Sequence, residues 1–159
     1  MYWTDECGVN EMIRIFISGT ILGIITGSLL FLVLFFIDVM TDIGLVNLLI
    51  NIDFIYSGDV PAILEFGLHI ITSIIICIIF KIIYVRAFYL HLKAHVVAAF
   101  IFAGLYFLLK ALAVEPIQTD SHIGFILWTI FHIGYLQLIH LTYINQWDSI
   151  LLNKIGGRA

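Results

Sequence analysis

Four long apolar stretches constrain this chain more than any other feature. They lie near residues 12–37, 64–84, 90–113 and 123–146. A helix of about 20 residues crosses the roughly 30 Å hydrocarbon core of a bilayer, since each residue adds about 1.5 Å. Each stretch is therefore long enough to span a membrane, and three of the four carry histidine within the span. The chain is predicted to be an integral membrane protein.

The composition agrees with a helix bundle in lipid. Hydrophobic residues make up 62% of the 159 residues and charged residues 11%, with a mean hydropathy of +1.13, whereas soluble domains are about 25% charged. The predicted fold is an all-α membrane protein, a four-helix transmembrane bundle that forms a single domain over residues 1–159. The lipid bilayer is its expected partner. Nucleic acid is not, because the chain lacks a basic run or a basic patch interleaved with aromatics.

The distribution of charge predicts an orientation, because Lys and Arg favour cytoplasmic loops. Basic residues lie at the start of the first stretch, between the second and third, and in the tail: Arg14, Lys81, Arg86, Lys93, Lys154 and Arg158. The alternate loops carry Asp38, Asp42, Asp53, Asp59, Glu115 and Asp120. We expect both termini in the cytoplasm and the long acidic loop outside. The N-terminal segment lacks the features of a cleaved signal peptide, so the first stretch is expected to remain as a helix.

The first stretch contains a seam of small residues, Gly19-x-x-x-Gly23-x-x-x-Gly27. Residues four apart share one helix face, and glycine there lets another backbone approach closely. This seam predicts close helix packing, either within the bundle or against a second copy or another membrane protein.

The predicted outer loop, about 25 residues from Asp38 to Pro61, is longer than an ordinary connection. Thr41 and Asp42 offer oxygen atoms suited to an N-cap, and apolar residues then recur with helical spacing at Ile43, Val46, Leu49 and Ile50. A short interfacial or re-entrant helix is predicted here. It would lie on the bundle at the headgroup level or cap a cavity that opens outward.

Polar residues inside the apolar stretches are the candidate functional residues. An unsatisfied polar group costs several kcal/mol in hydrocarbon, so these side chains are expected to face other helices or water. The candidates for a polar interior are His69, Ser73, His95, Thr129, His132 and His140.

Counting residues from each helix midpoint, at about 1.5 Å per residue, predicts two histidine pairs at matched depth. His95 would meet His140 near the cytoplasmic side, and His69 would approach His132 toward the outside. His91 and His122 are expected at the two interfaces, where water can satisfy them.

Three interpretations of the buried histidines stay open. They are structural residues that hydrogen-bond across helices, or they form a proton-responsive pathway, because histidine titrates near neutral pH and intramembrane ionisable groups mark ion routes. The third interpretation is haem ligation by His95 and His140, since two imidazoles can supply both axial ligands. No cofactor is predicted.

Enzyme signatures are missing from the sequence. The chain has no G-x-S-x-G elbow, Walker loop or dinucleotide fingerprint, so no catalytic residue is predicted. No metal site is predicted either, because His91-x-x-x-His95 lacks the glutamate of the zinc-protease motif. Cys7 and Cys77 occur in different settings and are expected to be free thiols.

The run Leu68-His69-Ile-Ile-Thr-Ser73, the loop at Pro116 and the tripeptide Phe131-His132-Ile133 resemble features of the YagU family of bacterial inner-membrane proteins. The resemblance implies the bacterial cytoplasmic membrane and a link to acid tolerance, with His69 and His132 as the matched positions. Two functions are weighed: a histidine-lined transport-like or pH-responsive membrane protein, and a non-catalytic subunit or scaffold that packs against a larger membrane partner through the glycine seam.

Overall fold

A computed structural model describes residues 3–52, 60–113 and 122–145, with side chains from residue 9 onward. It contains α1 (Trp3–Thr41), α2 (Leu45–Ile50), α3 (Ala62–Arg86), α4 (Phe88–Leu112) and α5 (Ile123–Ile144), and the described residues form no strand. Four helices are long and apolar enough to cross a membrane, over Val9–Thr41, Ala62–Arg86, Phe88–Leu112 and Ile123–Ile144. The predicted all-α four-helix bundle is confirmed, and α1 begins well before the apolar stretch that predicted it.

The four long helices run alternately up and down. α1 packs against α3 and α5, and α4 packs against the same two helices, so the four form a closed ring. α3 and α4 are separated by Ala87 alone, which lies at the end of the bundle opposite α2. We call these the α2 end and the turn end. The predicted acidic positions Asp53, Asp59, Glu115 and Asp120 and the basic tail residues lie outside the described residues.

The glycine seam of α1 packs against α3 within the same chain. A Cβ atom added at Gly19 would lie 2.9 Å from the Ile78 Cα, and one added at Gly23 would overlap the Ile74 Cα. Both obstacles are backbone atoms, which cannot move aside without separating the helices. The seam is therefore covered by α3 within the same chain.

The short helix α2 forms where it was predicted, but with a different cap. Both oxygens of the Asp38 carboxylate accept hydrogen bonds from α2, from Leu45 N at 2.8 Å and Val46 N at 2.6 Å. The expected cap is wrong: the Thr41 hydroxyl instead donates to the Ile37 carbonyl. Leu45 of α2 is fully buried, so the helix packs into the end of the bundle.

The outer surface of the bundle is apolar while much of its interior is polar. Large apolar side chains such as Phe36, Phe100 and Leu92 are more than 60% exposed. Serine, threonine and histidine side chains lie inside, among them Ser18, Thr26 and Ser73. This arrangement suits a chain whose surface meets lipid, because polar groups must find their partners within the bundle.

Candidate binding cavity and histidine cluster

The structure divides the predicted site residues into two groups at opposite ends of the bundle. His69, Ser73 and His132 line one cavity at the α2 end. His95 and His140 belong to a cluster of histidines near the turn end. Thr129 joins neither group, and its buried hydroxyl has no hydrogen-bond partner.

The cavity has a volume of about 360 Å³ and apolar walls. Leu49 and Ile50 of α2 line it, together with Phe102 of α4, and Trp128 of α5. The Trp128 indole is fixed by a hydrogen bond from its Nε1 to the Phe102 carbonyl at 2.8 Å. Of the two positions considered for the loop helix, the one that caps a cavity agrees with the placement of α2.

Both histidines of the cavity are oriented by backbone carbonyls. Nε2 of His69 lies 3.2 Å from the Gly27 carbonyl, and Nδ1 of His132 lies 2.8 Å from the Trp128 carbonyl. A carbonyl only accepts, so these nitrogens carry the hydrogen. In the neutral rings the other nitrogen then has a lone pair that can accept a hydrogen bond from a solute.

A polar spine leads from the cavity toward the turn end and consists of Ser73, Tyr135, Cys77, Thr26 and Tyr143. The Ser73 hydroxyl lies 2.9 Å from the Tyr135 hydroxyl, which lies 3.9 Å from the Cys77 thiol. The thiol is 3.7 Å from the Thr26 hydroxyl, and the Tyr143 hydroxyl donates to the Cys77 carbonyl at 2.8 Å. All five side chains are buried, and Cys77 is a free thiol.

Three histidine rings contact one another near the turn end, and we call them the histidine cluster. The His91 and His95 rings of α4 lie 4.4 Å apart between centroids, and His140 of α5 lies 5.1 Å from each of them. Aromatic rings of α3 pack against the cluster, with Phe80 at 4.2 Å from His95 and Tyr84 at 5.2 Å from His91.

The depth calculation is confirmed for the pair His95 and His140, whose rings are in contact. It also agrees with the position of His69 and His132, which line the same cavity. The expectation that water satisfies His91 is wrong, because this residue is only 2% exposed. α4 begins directly after α3, so Tyr84 and Phe88 pack around His91 and shield it from water. His122 is exposed, as predicted.

Sequence reasoning missed two features of the sites. Trp128 and Phe102 form the cavity wall, and apolar aromatics in a membrane helix gave no signal that distinguished them from lipid-facing residues. The His91-x-x-x-His95 spacing is visible in the sequence, but two histidines on one helix without the glutamate of the zinc-protease motif predict no metal site. The third histidine comes from another helix, so only the packing of α4 against α5 reveals the cluster.

No protein family, curated protein or solved structure matches this chain at a significant level. The resemblance to the YagU family stays a prediction.

Proposed function

We propose that this is a non-enzymatic, transport-like and pH-responsive membrane protein that takes up a small solute in the cavity at the α2 end. The observation that carries the proposal is the cavity of about 360 Å³ that is lined by His69 and His132. Small-molecule sites are usually concave, largely apolar and furnished with a few convergent polar groups, and they begin at about 300 Å³.

The polar groups of the cavity favour a solute that donates hydrogen bonds. His69 and His132 each have one nitrogen left to accept, and the Glu65 carboxylate also lines the cavity. No Lys or Arg stands among the described residues of the lining. A carboxylate without a basic partner attracts cations and repels anions. The solute class that fits is therefore a small, largely apolar molecule with an amine or hydroxyl group.

The polar spine supports the pH response. It extends from Ser73, which lines the cavity together with His69 and His132, to Tyr143, whose ring packs against Tyr84 beside the histidine cluster. Histidine is the side chain whose charge ordinarily changes near neutral pH. The titratable side chains that share the cavity with His132 are Glu65, His69 and Tyr135.

We propose the bacterial cytoplasmic membrane as the location, with both termini in the cytoplasm and the α2 end outside. The described charges support this orientation, because Lys81, Arg86 and Lys93 lie toward the turn end while Asp38 and Asp42 lie at the α2 end. The cavity would then receive its solute from the outer side.

Three compounds of similar shape test the solute class: benzylamine, benzyl alcohol and benzoate. Binding to the purified protein in detergent is measured by calorimetry. We expect the amine and the alcohol to bind more tightly than benzoate, and His132→Ala to weaken amine binding by at least about tenfold through loss of an acceptor. His122→Ala is the matched control, because His122 is exposed and does not line the cavity. Preference for benzoate, or unchanged binding in both His69→Ala and His132→Ala, would contradict the proposal.

Trp128 provides a built-in probe of the pH response. Its ring lies 4.1 Å from the His132 ring, close enough for an imidazolium to quench indole fluorescence. In a Trp3→Phe, Trp147→Phe background, we expect emission to fall as the pH is lowered from about 8 to about 3, a range that covers the titration of both exposed and buried histidine side chains. His132→Ala should abolish this change. A pH-independent signal in the parent background would rule out protonation of His132 in this range.

A further inference from the structure

The histidine cluster contains buried nitrogen atoms that the protein leaves without hydrogen bonds. They are both ring nitrogens of His91, Nε2 of His95 and Nδ1 of His140. A buried polar atom without a partner costs about 1–3 kcal/mol, and buried polar atoms in proteins are nearly always satisfied. Four such atoms within one cluster therefore indicate that a ligand from outside the chain binds to these nitrogens.

The geometry of the cluster is that of a set of metal ligands. One nitrogen from each of His91, His95 and His140 can be chosen so that all three lie within 4.8 Å of one another. In a tetrahedral site with metal–nitrogen bonds of about 2.0–2.1 Å, ligand nitrogens lie about 3.3 Å apart. Rotations of the side chains that bring the nitrogens at most about 1.5 Å closer would therefore complete the site.

One of the three rings is already held in the form that binds a metal. Nδ1 of His95 lies 2.8 Å from the His91 carbonyl, so this nitrogen donates its hydrogen and Nε2 retains the lone pair. Ligating histidines usually donate their second N–H to a carbonyl or carboxylate in this way, which fixes the tautomer and the ring orientation. Nε2 of His95 is also one of the unpartnered atoms.

We infer that His91, His95 and His140 form a binding site for a divalent transition metal ion. The donor set consists of imidazoles, which favour Zn²⁺, Cu²⁺ or Ni²⁺ over Mg²⁺ and Ca²⁺. Among the described residues the ligand group contains no cysteine or carboxylate, so three protein ligands leave one position for water or an exchangeable group.

The rings around the cluster favour an ion over a porphyrin. His95 and His140 contact each other directly, and Phe80 packs on His95 at 4.2 Å. This close packing leaves no slot for a macrocycle between the two histidines, whereas an ion among three nitrogens requires only side-chain rotation. The charged side chain that α3 contributes nearby is Lys81, which lies over the Tyr143 ring at 4.8 Å.

The site is tested with Zn²⁺ on the full chain, purified with a histidine-free tag and stripped with a chelator. We expect one Zn²⁺ per chain. His140→Ala should weaken binding at least about a hundredfold, because loss of an outer-shell partner already costs 10- to 100-fold. His132→Ala is the matched control: it removes a buried histidine from the same helix, about 12 Å along its axis, and should leave Zn²⁺ affinity unchanged.

A second measurement needs no substitution and so does not depend on the folding of a variant. Pulsed electron paramagnetic resonance of the Cu²⁺-loaded protein counts coordinated imidazoles, and we expect three. Any of three results would overturn the metal site. They are fewer than two coordinated imidazoles, equal Zn²⁺ affinity in wild type and folded His140→Ala, and a Soret band that His95→Ala removes. The amine-binding cavity and the metal site can fail separately, because each is monitored with its own ligand and its own histidine variants.

Discussion

The buried polar side chains find their partners in two ways. Thr26, His95 and His132 hydrogen-bond to the carbonyl four residues earlier in their own helix. Ser73 and His69 instead cross from α3 to the carbonyls of Gly23 and Gly27 in α1. Glycine makes this crossing possible, since the absence of a side chain exposes its carbonyl to the neighbouring helix. The seam therefore provides hydrogen-bond acceptors as well as room.

Removal of the Ser73 hydroxyl should destabilise the bundle. Ser73→Ala deletes a hydrogen bond to Gly23 and one to Tyr135, and we expect a loss of about 1–2 kcal/mol in the free energy of unfolding. Thr142→Ala is the control, because that hydroxyl bonds only to Leu138 in its own helix. Unfolding in mixed detergent micelles measures both. Equal stability of the two variants would show that the interhelical bonds contribute little.

At the scale of the elements, the pair α1 and α3 forms the tightest contact in the bundle. Gly19, Gly23 and Gly27 bring the α1 backbone against Ile78, Ile74 and Ser73. Such contacts are valuable in lipid, where the hydrophobic effect does not drive helices together and dispersion must. The pair also holds one side of the cavity, because Leu30 of α1 and His69 of α3 both line it.

The addition of a single methyl group at Gly23 should push α1 and α3 apart. A Cβ atom at Gly23 would meet the Ile74 backbone, with its N only 2.7 Å away, so we expect Gly23→Ala to cost about 1–3 kcal/mol through overpacking. Gly104→Ala is the matched control, because nothing lies within 4 Å of its Cβ, and it should be neutral or stabilise α4 by up to about 1 kcal/mol. Thermal unfolding in detergent compares them, and equal melting temperatures would contradict this packing.

The whole molecule combines an apolar surface with polar groups at both ends of its interior. The cavity lies at the α2 end and the histidine cluster lies toward the turn end. α5 contributes a histidine to each, His132 and His140. The proposed orientation places the cavity on the outer side and the cluster near the cytoplasm.

Labelling with a membrane-impermeant maleimide tests that orientation. Asp42 at the α2 end and Lys93 near the turn end are both exposed, and Cys77 is buried. In a Cys7→Ser background, we expect Asp42→Cys to be labelled in intact cells and Lys93→Cys only after the membrane is permeabilised. The reverse pattern would invert the topology and place the cavity on the cytoplasmic side.

Much of the fold was predictable because the bilayer imposes a length on apolar helices. The four spans, the loop helix and the contact of His95 with His140 followed from hydropathy, loop length and residue counting along the helix axis. These calculations use only distances along a single helix, and such distances follow from counting residues in the sequence. They could not show which neighbouring helix covers a residue, and for that reason His91 was expected to meet water although the structure buries it.

The sequence by itself determined that the chain is a membrane-spanning helix bundle with histidine at two depths. Only the tertiary structure decided that α3 covers the glycine seam, that Asp38 caps α2, and that His91 completes a group of three histidines. The physical reason is that hydropathy and helical rise are properties of one segment. A cavity or a ligand set depends instead on the rotation of one helix against another, which packing at each contact decides.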